Sequence, residues 1–126
     1  QDPSSGTWYQ VTDQGAREGN YLESSATALF IYTLAKAINK GYIGNEYIEP
    51  TQKAFDGMVK TFTRLEEDGS YTITNCCAVA GLGGDSKRYR DGSFEYYISE
   101  PIIENDPKSV GSFILAAIEY EKMTKK

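Results

Sequence analysis

At 126 residues, with 40% hydrophobic and 25% charged side chains, the chain suits a single soluble globular domain and excludes a disordered one. Eighteen acidic against thirteen basic residues leave a formal charge of −5, which argues against nucleic acid and anionic membrane surfaces as partners. No apolar run approaches the roughly 20 residues that span a bilayer, so no membrane partner is expected.

The chain opens at Gln1 without a methionine and without a signal-peptide pattern, so it is expected to be processed or cut from something longer. Residues 20–40 read as a helix. They hold no proline or glycine, are rich in Ala and Leu, and stop at Gly41, a good C′ residue. Leu22, Ala26, Leu29, Phe30, Ile31, Tyr32, Leu34, Ala35, Ala37 and Ile38 cover most of its circumference. A helix apolar nearly all round is buried on most sides, and this chain has little to bury it with.

A second helix is predicted over 46–64, with Asn45 as N-cap and Pro50 near its first turn. Ile48, Phe55, Met58, Val59 and Phe62 form one stripe, so this helix should lie on the outside. Residues 66–74 read as a β-hairpin around the Asp68-Gly69 turn. Residues 75–105 lack helical periodicity. Their aromatic and isoleucine content argues for a long ordered loop, and such loops are usually functional. The last helix starts with Asp106 as N-cap and Pro107 at N1, followed by Val110, Phe113, Ile114, Ala117 and Ile118 at helical spacing. The alternation of inner and outer helices suggests an array of αα-hairpins.

With no histidine in the chain, Ser/His and Cys/His nucleophile systems are excluded within it, and acid–base work falls to Asp, Glu, Tyr or Lys. Cys76 and Cys77 are adjacent, which disfavours a bridge between them, and no CxxC accompanies them. They read as small, partly buried thiols. No metal and no cofactor is predicted. The Gly81-rich stretch lacks the spacing and lysine of a phosphate loop and reads as a turn.

Aromatic rings beside carboxylates and amides on helix-entry loops are what sugar binding needs, since a pyranose stacks on a ring and pairs its hydroxyls with polar groups. Trp8, Gln10, Asp13, Asn20 and Glu23 form one such group, and Asp91, Glu95, Tyr96, Tyr97, Ser99 and Glu100 another. The competing reading has the tyrosines filling space and the carboxylates capping helices. Asp13, Glu23, Asp91, Glu95 and Glu100 are candidates for a hydrolytic carboxylate pair, and spacing does not select among them.

The strings WYQVTD at 8–13, NYLESS at 20–25, FIYTLAK at 30–36, KGY at 40–42, CAVAGLG at 77–83, YRDGSFEYY at 89–97, SEP at 99–101, ND at 105–106 and FILA at 113–116 occur in fixed order. Together they resemble the C-terminal half of glycoside hydrolase family 105, the unsaturated rhamnogalacturonyl hydrolases, related to the unsaturated glucuronyl hydrolases of family 88. The resemblance implies an all-α fold that is part of an (α/α)6 barrel, with C-terminal αα-hairpins, a small β-hairpin and a long ordered loop. Residues 1–126 would be one unit of that barrel.

It also implies removal of 4,5-unsaturated uronic acid from pectin-derived oligosaccharides by hydration of the vinyl ether. A protonated Asp supplies the proton, and the family carries that Asp in the N-terminal half. No string here matches its motif, so the catalytic residue is expected outside this chain. Substrate-pocket expectations rest on Trp8, Gln10, Asp13, Asn20, Glu23, Asp91, Tyr96 and Tyr97, with Trp8, Tyr96 and Tyr97 at one open end of the helices. The implied partner is an unsaturated uronate oligosaccharide, with self-association through apolar helix faces as a further expectation. The bacterial cytoplasm or periplasm is expected rather than a membrane. Alternatives are a non-catalytic carbohydrate-binding or interaction domain, and a sugar epimerase on the same barrel.

Overall fold

The computed structural model describes residues 1–85, 87 and 89–125. Nine segments follow in order: α1 (Ser24–Lys40), a 3-10 turn (Asn45–Tyr47), α2 (Ile48–Phe62), β1 (Thr63–Leu65), β2 (Tyr71–Ile73), β3 (Cys76–Cys77), α3 (Phe94–Ser99), β4 (Ile102–Ile103) and α4 (Pro107–Thr124). None of these helices is long and apolar enough to cross a membrane.

Helix α1 begins four residues later than its composition predicts. Asn20 to Leu22 are drawn into an extended segment, where Leu22 pairs with Tyr9 across an antiparallel bridge. Tertiary pairing overrides propensity there. Its far end matches the expectation, with Gly41 in the left-handed region at φ 71 and its N–H returned to Ile38 and Ala37 carbonyls.

Asn45 opens the 3-10 turn and supplies no cap to α2, which starts at Ile48 behind Tyr47 with no side-chain cap bond. Helix α2 ends at Phe62 because Thr63 already enters β1. The hairpin therefore spans β1 and β2, paired Thr63↔Ile73 through Leu65↔Tyr71, with Asp68 and Gly69 in its turn. The predicted long loop is more structured than its sequence suggests. Strands β3 and β4 pair as Cys76↔Ile103 and Cys77↔Ile102, and α3 lies between them. Six residues are too few for periodicity to reveal α3.

Helices α1 and α4 run parallel and pack most closely, with α2 behind them. Ser109, Ser112 and Ala116 are the buried residues of α4 along this contact, and α1 contributes Ser24, Thr27, Ala28, Ile31 and Ala35. Small side chains at helical spacing let the backbones approach. Asn39, near the end of α1, donates to the Glu119 carbonyl and carboxylate in the last turns of α4. The core joins Ala28 and Ile31 to Ala54, Met58, Phe62 and Ala116, and Phe55 stacks on Tyr120 at 3.8 Å.

The N-terminal segment crosses α2 at Gly57. A Cβ there would lie 1.8 Å from the Ser5 carbonyl oxygen, which explains a glycine inside a helix that otherwise disfavours one.

Candidate functional site

The N-terminal ends of α1 and α4 share one end of the molecule with the segments 7–23 and 76–103. Trp8 is anchored there by its backbone. Its N–H donates to Thr27 Oγ1 at 3.1 Å, and its carbonyl accepts from the Glu23 N–H at 2.9 Å. The Trp8 ring lies 5.0 Å from Phe30 at a tilt of 59°, so it sits over the apolar flank of α1. Gln10 follows two residues on, and its Nε2 donates to Cys77 Sγ at 3.3 Å.

Asp13 lies elsewhere. It is exposed and lines an outer cleft of ≈ 390 Å³ with Gln1, Asp2 and Tyr9. Asn20 is consumed by the loop it closes: its Nδ2 donates to the Val11 and Gln14 carbonyls, and its Oδ1 accepts from the Val11 and Tyr21 N–H groups.

Glu23 is 1% exposed, so the expectation that it lines the pocket meets a carboxylate with no open face. Oε2 accepts from the Ala26 N–H at 2.7 Å, and Oε1 accepts from the Ser25 hydroxyl at 2.8 Å and the Cys77 N–H at 3.0 Å. Both cysteines are free and buried, more deeply than the sequence reading had them. Burial pushes the Cys76 thiol up, with Glu23 adding to the shift. The Tyr21 hydroxyl is buried beside them without a bond of good geometry among the described residues. Its pKa is raised by burial first and by the adjacent Cys77 thiol next.

The second group is built around α3. Asp91 is exposed and accepts from the Ser93 N–H, which holds its carboxyl below the usual range. Ser93 in turn caps α3 through the Tyr96 N–H at 3.1 Å. The Tyr96 hydroxyl donates to Glu100 Oε1 at 2.7 Å and accepts from the Gly81 N–H at 3.1 Å. Desolvation raises Tyr96 above the ordinary phenol value, and the Glu100 bond adds to it.

Glu100 has a fully buried side chain, 3.9 Å from Arg90 Nε. Tyr97 is half-buried and meets Tyr96 at 5.1 Å between ring centroids. Arg17 ties the two groups together, pairing with Glu95 while its guanidinium lies 3.9 Å above the Phe94 ring. Arg17, Arg90 and Tyr21 were not singled out by sequence reasoning. Arg90 and Tyr21 lie inside the strings YRDGSFEYY and NYLESS, so that signal was present but unread.

This end of the molecule therefore gathers Trp8, Gln10, Tyr96 and Tyr97. Its buried carboxylates, Glu23 and Glu100, work as internal acceptors and do not form a hydrolytic pair. Among the described residues, no group of three or more His, Cys, Asp or Glu could hold a metal ion. A concavity of ≈ 700 Å³ lies between Ser5 and the Lys53, Asp56 and Lys60 face of α2. It contains none of the aromatic residues at the α1 and α4 N-termini. We place the site at the aromatic end, because a groove of lysines and carboxylates open to water offers no ring for a sugar to stack on.

The family model described as Glycosyl Hydrolase Family 88 matches residues 1–124. The 24.9 kDa protein in the picA locus of Rhizobium radiobacter is 37% identical over 118 residues, covering 90% of this chain and 51% of that protein. The chain thus spans about half the length of the curated relatives it matches. A solved glycoside hydrolase from family 105 of C. acetobutylicum superposes with a TM-score of 0.92 at 46% identity, covering 96% of this chain and 33% of its own. A possible member of family 105 from Salmonella enterica superposes with a TM-score of 0.75 at 26% identity, covering 99% of this chain and 28% of its own.

Proposed function

We infer function from the fact that this chain belongs to Glycosyl Hydrolase Family 88: it is the C-terminal part of a glycosidase built on an (α/α)6 barrel. The parent enzyme removes 4,5-unsaturated uronic acid from rhamnogalacturonan-derived oligosaccharides. The observation that carries this reading is the superposition on a family 105 hydrolase at 46% identity, over only a third of that chain. In this reading residues 1–126 are one unit of the barrel, and the remaining helices come from sequence that precedes them.

A carboxylic acid in that preceding part protonates C4 of the unsaturated ring, and water adds at C5. The hemiketal so formed opens and releases the shortened oligosaccharide. This chain supplies the rear wall and part of the rim. Trp8 and Tyr97 offer rings for the sugar faces, and Gln10 offers its amide oxygen for a sugar hydroxyl, while Tyr96 braces Glu100 and the Gly81 loop behind them.

The test is an assay of the parent protein on lyase-generated rhamnogalacturonan fragments. Ultraviolet absorbance of the conjugated uronate is expected to fall with time, and an otherwise identical fragment with a saturated end is expected to remain intact. Unchanged absorbance, or cleavage of the saturated fragment, would remove the proposal. Unsaturated glucuronyl substrates in the same assay decide between the two polysaccharide classes.

A further inference from the structure

Glu23 does more than a helix cap requires. A cap needs one short acceptor, and Ser, Asp or Asn at this position satisfies the N2 or N3 amide. Here a longer side chain is spent, and its second oxygen leaves the helix to accept the N–H of Cys77, 54 residues away in sequence. The Glu23 backbone N–H meanwhile holds the Trp8 carbonyl. One residue therefore joins three segments: the extended segment carrying Trp8 and Gln10, the start of α1, and β3.

The loop is closed a second time by Gln10, whose amide rests on Cys77 Sγ. The relative placement of Trp8 and Gln10 depends on this node. A buried carboxylate is costly unless its oxygens are satisfied, and here three donors and the N-terminal dipole of α1 meet it. That cost is worth meeting only where position matters, since an apolar contact would have joined β3 to α1 without it.

We propose that Glu23 is a positioning residue of the sugar site: it touches no substrate and sets where Trp8 and Gln10 meet it. This rests on the reading that Trp8 faces the sugar. Glu23→Asp is the informative change, because aspartate still caps α1 and carries the charge but is too short to reach the Cys77 N–H. Glu23→Gln keeps the length and turns an amide N–H against one of the donors, so it serves if the shorter variant fails to fold.

Each change is made in the full-length parent enzyme, alone and together with Trp8→Ala, with kcat and KM measured separately on the unsaturated oligosaccharide. Glu23→Asp is expected to raise KM about tenfold with kcat within about twofold, and to add less than about twofold to the KM of the Trp8→Ala enzyme. An equal factor on both backgrounds, or a lower kcat at unchanged KM, would show a purely structural role and overturn the proposal. If Trp8→Ala alone leaves KM unchanged, the pocket-wall reading has failed, and the positioning role of Glu23 falls with it.

Discussion

Helix α2 and the α1–α4 pair are apolar to similar purpose but finished differently. Helix α2 buries Thr51, Ala54, Met58 and Phe62 on one stripe and turns Glu49, Lys53, Asp56 and Lys60 to water. Its outer face is complete. Helices α1 and α4 bury their small residues against each other, yet leave Leu29, Phe30, Ile114, Leu115 and Ile118 between 40% and 54% exposed. Water faces a surface of core composition there, and contiguous patches of that kind mark a face meant to be covered. In the proposed barrel the finished side would face outward and the open side inward. Trp8 stands at the edge of that inner side, against Phe30.

The largest effect expected from this contrast is on the finished side. Phe62→Ala removes a fully buried ring beneath α2 and should destabilise the chain by about 3–5 kcal/mol. Leu115→Ala, on the open face, should cost less than about 1 kcal/mol. Urea denaturation of both variants measures the pair, and equal losses would mean that the open face is packed like the closed one.

An intermediate effect concerns association. The chain should self-associate in sedimentation, and the double change Ile114→Glu with Leu115→Glu should leave it monomeric, with a stability change within about 0.5 kcal/mol. A parent chain that is already monomeric at high concentration would show that the face tolerates water.

The smallest effect lies far from either face. Arg64 donates to both oxygens of Glu104, at 2.7 and 2.9 Å, and to Glu66 at 3.0 Å. The Arg64 bond holds Glu104 below the ordinary carboxylate value, and Glu66 is lowered by Thr72 first and Arg64 second. Their contribution is therefore present above the unfolded carboxylate pKa of about 4.3 and is lost as pH falls through the lowered folded values. Arg64→Ala should lower the melting temperature slightly at neutral pH, and the difference should shrink as pH falls and the two carboxylates take up protons. Arg64 and Glu104 are exposed and Glu66 is only half-buried, so salt should shrink the neutral-pH difference.

Local chemistry was legible from residue order. Asp106 and Pro107 announced the start of α4, Gly41 closed α1, and Asp68-Gly69 turned the hairpin, because caps and turns are decided by a few neighbours. The unusual apolar circumference of α1 was equally plain, and Leu29 and Phe30 do stand partly exposed on it. The strings around Trp8 and Tyr96 lie at one end of the molecule, where the N-termini of α1 and α4 meet. What could not be read was which polar residues remain free there. Asn20 and Glu23 look like sugar ligands in sequence, and only their partners, Gln14 and Val11 for one and Cys77 for the other, show them to be internal fasteners.

Residue order by itself thus determined the three long helices, the Asp106 cap of α4, the Gly41 end of α1 and the family to which they belong, since periodicity and motif are properties of the chain read along its length. Only the tertiary structure decided the start of α1, the existence of α3, and the division of carboxylates into buried acceptors and exposed caps. The start of α1 and the burial of Glu23 turn on pairings between residues distant in sequence, and a donor 54 positions away leaves no trace in the residues beside its acceptor.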